Sequence, residues 1–290
     1  MSDFRSMPVN KQFMRVLVKP DTWLLNGISL DNAAPHPHVV IGDKLAAIID
    51  TTDLELELRK YVEENVTDKP LVVISTHSHG DHTANNYMFE DCPIYMSEIS
   101  WEEIKANREK AASGDETHPG WSKGTYVPTI VKDGDIIDLG GRTLECIKFA
   151  GCHSDSSMVY LDSKYGCLFT GDEFEGGQVL VMGARGDNCI EKYHDNLLKL
   201  RERVNGRATC VCPPHNGSPC DIMILDYMIE NCERIMNGIE GMKDVRSMTF
   251  GLNPHGYSIS RMADENVRRS EWMGTSIVYN TKRIFYKDCE

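Results

Sequence analysis

One stretch constrains this chain more than any other: Leu71-Val72-Val73-Ile74-Ser75-Thr76-His77-Ser78-His79-Gly80-Asp81-His82. It opens with four apolar residues, three of them β-branched, which predicts a buried strand. It then turns abruptly polar, with three histidines and an aspartate within six residues of one another. A strand anchored in a sheet holds the loop at its end rigidly, and such loops present ligands to metals. His77 and His79 are two apart, so an extended segment would aim both to one side. Gly80 then lets the backbone turn before Asp81 and His82. Four adjacent side chains crowd a single ion, so the loop could serve two. The alternative is a polar loop that happens to be rich in histidine. The chain has only ten histidines in 290 residues and three fall here, which favours the ligand reading.

The acidic balance, 31 Lys and Arg against 44 Asp and Glu for a net charge of −13, offers no basic field to attract a nucleic-acid backbone or an anionic membrane. It also suits a soluble cytoplasmic protein. The start, Met1-Ser2-Asp3-Phe4-Arg5, lacks a basic segment followed by an apolar run, and no stretch approaches 18 consecutive apolar residues. Ten cysteines with scattered spacing then read as reduced thiols. Cys210, Cys212 and Cys220 are a weak candidate for a structural zinc site, with buried thiols as the favoured reading.

Along the chain, residues 13–18 and 23–30 are strand candidates, and 39–50 reads as a hairpin around Gly42-Asp43-Lys44. Thr51-Thr52-Asp53 supplies cap chemistry for a helix running to about Asn65. Further helices are expected over 83–90, 97–112 (capped by Ser97 or Ser100), 191–204 and 221–237 (capped by Asp221), and strands over 92–96, 136–139, 142–149, 157–161, 167–170 and 209–212. Helix and strand in this alternation are an α/β arrangement. Residues 113–128 and 173–190 read as long loops, the first carrying Trp121 and Tyr126. The last fifty residues suggest strands at 245–250, 257–261 and 276–279 with a polar helix near 263–272, as a hairpin unit or a lid. We divide the chain into a catalytic domain over 1–240 and a C-terminal extension over 241–290, packed on the same domain.

Three later positions repeat the pattern of a polar residue just after a strand: His153 in Gly-Cys-His-Ser-Asp-Ser, Asp172 in Thr-Gly-Asp-Glu, and His215 in Pro-Pro-His-Asn-Gly. Each is weak alone, since a lone His after a strand is more often structural and Gly-Asp is usually a turn. The order of all four motifs resembles the metallo-β-lactamase superfamily over roughly residues 37–220. His77-Ser78-His79-Gly80-Asp81-His82 matches that superfamily's HxHxDH signature in full. Residues 39–52 resemble its opening hairpin, and Leu168-Phe169-Thr170-Gly171-Asp172 resembles its bridging-aspartate motif.

The resemblance implies an α/β fold of four layers, an αββα sandwich, with two divalent ions. His77, His79 and His153 would bind one, Asp81, His82 and His215 the other, and Asp172 would bridge them. Imidazole and carboxylate donors without thiolate suit zinc first, with iron or manganese as alternatives. His79 stands where flavodiiron proteins carry Glu, which resembles the hydrolytic branch instead. The implied reaction is attack by a metal-bridging hydroxide on the carbonyl of a small thioester, lactone or ester, as in glyoxalase II, with Asp81 orienting the nucleophile. Tyr126, Tyr193, His194, His118 and His255 are candidates to steady the oxyanion, each more simply read as packing or surface. β-Lactam hydrolysis, phosphodiester hydrolysis, and iron chemistry (mononuclear oxygenation of a thiol-derived substrate, or redox at an iron pair) are the competing functions. The expected partner is a small-molecule substrate, with no nucleic acid and no membrane, and a homo-oligomer is left open.

Overall fold

The computed structural model describes residues 7–28, 35–114, 123–149, 152–181, 188–215, 217–239, 241 and 265–289. It forms two compact units. The first takes in the described residues up to 148 together with 158–165; the second takes in those of 149–157 and from 166 onward.

The first unit is built on a seven-stranded sheet in sequence order: β1 (Phe13–Lys19), β2 (Thr22–Gly27), β3 (His38–Ile41), β4 (Ala46–Ile49), β5 (Leu71–Ile74), β6 (Ile94–Met96) and β7 (Thr129–Ile130). The first three pairings are antiparallel and the last three parallel. The hairpin expected over 39–50 is β3–β4. Its turn needs Gly42, where an added Cβ would lie 2.3 Å from the Leu139 carbonyl oxygen. β5 is the expected strand, and all four of its residues are buried. Leu71 and Val73 join a core cluster with Val39, Ile48, Tyr61 and Ile94, while Val72 and Ile74 point to the opposite face. Each such side chain contributes about 1.5–3 kcal/mol by leaving water. Parallel strands buried on both faces read as continuous apolar runs, which is why β4 and β5 carry no alternation.

Helix α1 spans Leu58–Asn65, so the helix expected from Thr51 starts seven residues late. Asp50 and Thr52 adopt left-handed conformations (φ 58° and 55°) that no helix can continue, and the Thr51 amide is drawn away to donate to the His82 carbonyl. The helix expected over 83–90 is instead two short turns, α2 (Gly80–Thr83) and a 3-10 turn at Asn86–Phe89. Helix α3 (Glu98–Ala112) begins as expected, with the Ser97 side chain accepting the Ser100 amide. An antiparallel meander, β8 (Ile136–Asp138), β9 (Thr143–Lys148) and β10 (Met158–Asp162), completes this unit.

In the second unit β11 (Cys167–Phe169) runs parallel to β13 (Cys210–Val211), which pairs antiparallel with β14 (Cys220–Asp221). Helix α4 (Ile190–Val204) turns Ile190, Tyr193, Leu197, Leu200 and Val204 inward. Helix α5 (Ile224–Met236) starts three residues past Asp221, whose carboxylate instead accepts the Met223 amide in a turn. The stretch 173–190 is not all loop, because it contains β12 (Gln178–Val181). The polar helix expected near 263–272 is a strand, β15 (Val267–Trp272), paired antiparallel with β16 (Thr275–Asn280), and β16 pairs parallel with β12. The strands expected at 245–250 and 257–261 lie outside the described residues. Among the described residues no helix is long and apolar enough to cross a membrane.

Candidate metal centre

The loop after β5 is fixed by hydrogen bonds before any histidine is placed. The Thr76 amide and hydroxyl both donate to the Asp50 carboxylate, each at 2.8 Å, and the Thr76 carbonyl accepts the Met158 amide. His79 precedes α2, and its carbonyl accepts the His82 and Thr83 amides, so Asp81 and His82 sit on the first helical turn. Gly80 therefore turns the chain by starting a helix. The result is a tight cluster. The His77 ring centroid lies 4.5 Å from that of His79 and 4.1 Å from that of His82, and Asp81 Oδ2 is 3.6 Å from His82 Nε2. His77 and His82 are fully buried and Asp81 partly exposed.

Each buried imidazole is oriented from behind. His82 Nδ1 lies 2.9 Å from Asp50 Oδ2, and His77 Nδ1 lies 3.1 Å from the Thr76 hydroxyl. Both rings therefore present Nε2 forward. Asp50 is 1% exposed and holds His82 and Thr76 at once. Sequence reading missed it, because an aspartate at a strand end resembles any turn residue. The Thr51 hydroxyl, between the His82 carbonyl and Asn86 Oδ1, ties α2 to the same support.

The second unit carries the other three expected residues, and they also meet. Asp172 follows β11, and its two oxygens face two different imidazoles: Oδ2 lies 3.4 Å from His153 Nε2 and Oδ1 lies 3.5 Å from His215 Nε2. Both distances exceed the 2.7–3.2 Å of an ordinary N–H···O bond. His153 is fixed through its backbone, since its amide and that of Ser154 donate to the fully buried Glu173 carboxylate. Burial pushes the Glu173 carboxyl up to about 8. The Tyr193 hydroxyl donates to the Glu173 carbonyl. Glu173 was invisible as a support because it reads as the tail of a Thr-Gly-Asp-Glu turn.

The oxyanion candidates separate. Tyr193 is committed to Glu173, and His194 lies 3.4 Å from Glu233. Tyr126 sits in the core under the Arg108 guanidinium, 4.3 Å from its ring centre, and receives the Asn86 amide. His118 and His255, with Trp121, lie outside the described residues. Cys152 is a buried packing residue whose thiol burial pushes well above the ordinary range. Cys220 does not join Cys210 and Cys212; its thiol donates to the Gly217 carbonyl, and Cys167 takes the third place.

A family model described as the metallo-beta-lactamase superfamily matches residues 37–215. The chain belongs to that superfamily. Its α/β fold is the metallo-β-lactamase fold, as expected from the motifs: a metallo-beta-lactamase from Pontibacter korlensis aligns over 76% of this chain and 98% of its own, with a TM-score of 0.58 and 19% identity. Two kinds of curated relative are similar in sequence. Coenzyme F420H(2) oxidase of Methanocaldococcus jannaschii is 27% identical over 60% of this chain. Acyl-coenzyme A thioesterase MBLAC2 of Bos taurus is 29% identical over 40% of it. The chain spans only 41% and 46% of these relatives' own lengths.

Proposed function

We propose that this superfamily member is a metal-dependent hydrolase of an acyl thioester or related ester, acting in the reducing cytoplasm. The Asp172 carboxylate carries the reading, because it faces a different imidazole with each oxygen. Two donor atoms held about 2.1 Å from one tetrahedral ion sit about 3.4 Å apart. The 3.4, 3.5 and 3.6 Å carboxylate–imidazole separations at His153, His215 and His82 match that spacing better than a hydrogen bond. In this reading His77, His79 and His153 would hold one ion and Asp81, His82 and His215 a second, with Asp172 as a donor to both. The donors are imidazole and carboxylate, which suits zinc and also admits iron or manganese.

A pair of divalent ions so held supplies Lewis acidity and brings the pKa of water toward neutrality. The chain's own residues do the rest. Asp81, partly exposed beside the fully buried His82, accepts the proton of the attacking water and aims its lone pair at the substrate carbonyl. Asp50 keeps the His82 ring in one tautomer by accepting from Nδ1. Glu173 keeps the His153 backbone from relaxing. Replacing Asp50 by Ala is expected to weaken metal binding by about 10–100-fold while leaving the seven primary donors in place. Competition against a chromogenic chelator reads this directly.

The thioester assignment is supported by the thioesterase relative and by His79. The oxidase relative supports a second reading, dioxygen reduction at an iron pair. One preparation separates them. Zinc-loaded protein should release thiol from acyl-coenzyme A, seen with a disulfide reporter, and should consume no oxygen with a reduced flavin donor. Oxygen uptake by iron-loaded protein with no thiol release from any acyl chain length would replace this reading with the second.

A further inference from the structure

A second cluster of metal-binding side chains lies apart from the histidines in sequence and chemistry. Cys167 and Cys210 are register partners on the parallel strands β11 and β13, with sulfurs 3.7 Å apart. Cys212 is two residues on, so it projects to the same face as Cys210, and its amide continues the ladder to the Leu168 carbonyl at 2.7 Å. All three sulfurs lie within 4.8 Å of one another, at 0%, 7% and 1% residue exposure. Among the described residues this group has three members and no imidazole or carboxylate.

We propose that Cys167, Cys210 and Cys212 form a binding site for a soft monovalent ion, Cu(I), in near-trigonal sulfur coordination. Three sulfurs about 2.3 Å from one central ion sit about 4 Å apart, close to what the strands already impose. Thiolate donors select soft ions, whereas structural zinc takes a fourth ligand that this group does not supply among the described residues. A disulfide would need two sulfurs to close to about 2.05 Å. Binding forms two copper–thiolate bonds, breaks two S–H bonds and releases two protons to solvent, with no electron transferred. The third sulfur remains a neutral thiol donor, so the buried site carries a single negative charge. In the metal-free protein the thiols bond to one another, and these bonds raise the Cys212 thiol well above its ordinary range. Cys210, the least buried, is the point of entry. β11 leads to Asp172 and β13 to His215, so an ion here also staples the two strands that carry those residues.

The test is an anaerobic Cu(I) titration of the full chain, reduced and preloaded with zinc to occupy the histidine sites, against a chromogenic Cu(I) chelator. The expected result is one Cu(I) bound per chain, an X-ray absorption spectrum with a sulfur-only shell, and a raised Tm. Cys212→Ser should weaken binding roughly a hundredfold, and Cys210→Ser should do the same. A nitrogen or oxygen shell, affinity unchanged in either folded variant, or loss of two titratable thiols to a disulfide in place of copper binding overturns the proposal. The absorption spectrum of the unmodified protein decides even if a variant fails to fold. None of these readouts depends on hydrolytic activity.

Discussion

Asp172→Ala should abolish function while leaving the fold intact. The side chain makes two imidazole–carboxylate contacts in its unit, to His153 and to His215. Both of these contacts run between side chains, so their loss should spare secondary structure. If the carboxylate spans two ions, deleting it removes a ligand from both, and metal content should fall from about two ions per chain to one or fewer. Thioester hydrolysis should drop about a thousandfold, equivalent to about 4 kcal/mol of transition-state stabilisation. Asp172→Asn separates charge from geometry. It keeps the shape and one oxygen acceptor but removes the negative charge that two cations share, so it should lose most of the activity and retain more metal than the alanine variant. Elemental analysis, kcat/KM and far-ultraviolet circular dichroism measured on both proteins provide the check. Full metal content with full activity in Asp172→Ala would remove the basis of the proposed function.

The parts of this molecule that were readable from sequence share a physical cause, namely that burial and chemistry coincide over a few consecutive residues. β5 announces itself because a strand buried on both faces must be apolar throughout, and the histidines follow it immediately. Ser97 is readable as a cap because the bond it makes is only three residues long. Asp50 was not readable, because its meaning comes from His82, thirty-two positions away, and from a left-handed backbone that no local pattern announces. Residues 51–57 carry helix-start chemistry but are pulled into an irregular path by the Thr51–His82 bond, so a tertiary hydrogen bond overrides propensity. β15 was misread for the opposite reason. Its buried positions include Arg268 and Ser270, which look like a solvent face until Asn231 of α5 is seen to satisfy Ser270 through both its hydroxyl and its carbonyl. Polar burial is legible only with its partner in hand.

Arg142 gives the second large effect, and it is one of stability. The residue immediately precedes β9 and is 2% exposed, among the largest buried side chains of the described residues. Its guanidinium donates to Asp162 through Nε at 2.6 Å and Nη2 at 3.0 Å, to the Thr22 hydroxyl at 2.6 Å, and to the Asp21 carbonyl at 3.0 Å. It thus ties β9 and β10 to the β1–β2 turn, within the unit that holds His77 to His82. Asp162 is equally committed, since it also accepts the Lys164 and Tyr165 amides. Arg142→Met keeps the volume but strands a buried carboxylate and removes the donors that satisfied Thr22 and Asp21. Breaking a buried pair from one side costs about 3–5 kcal/mol, because the remaining charge has no compensation. Arg142→Met/Asp162→Asn should recover more than half of that loss. The second change removes the orphaned charge yet keeps one oxygen to accept the Tyr165 amide, the shorter of the two backbone bonds that Asp162 receives. Urea unfolding of the three proteins measures both quantities, and a double variant no more stable than Arg142→Met would mean that the lost hydrogen bonds to the turn, rather than the stranded charge, account for the cost. Zinc-loaded Arg142→Met that remains folded should still hydrolyse thioester, because the guanidinium acts on the support of the sheet and touches none of the proposed ligands.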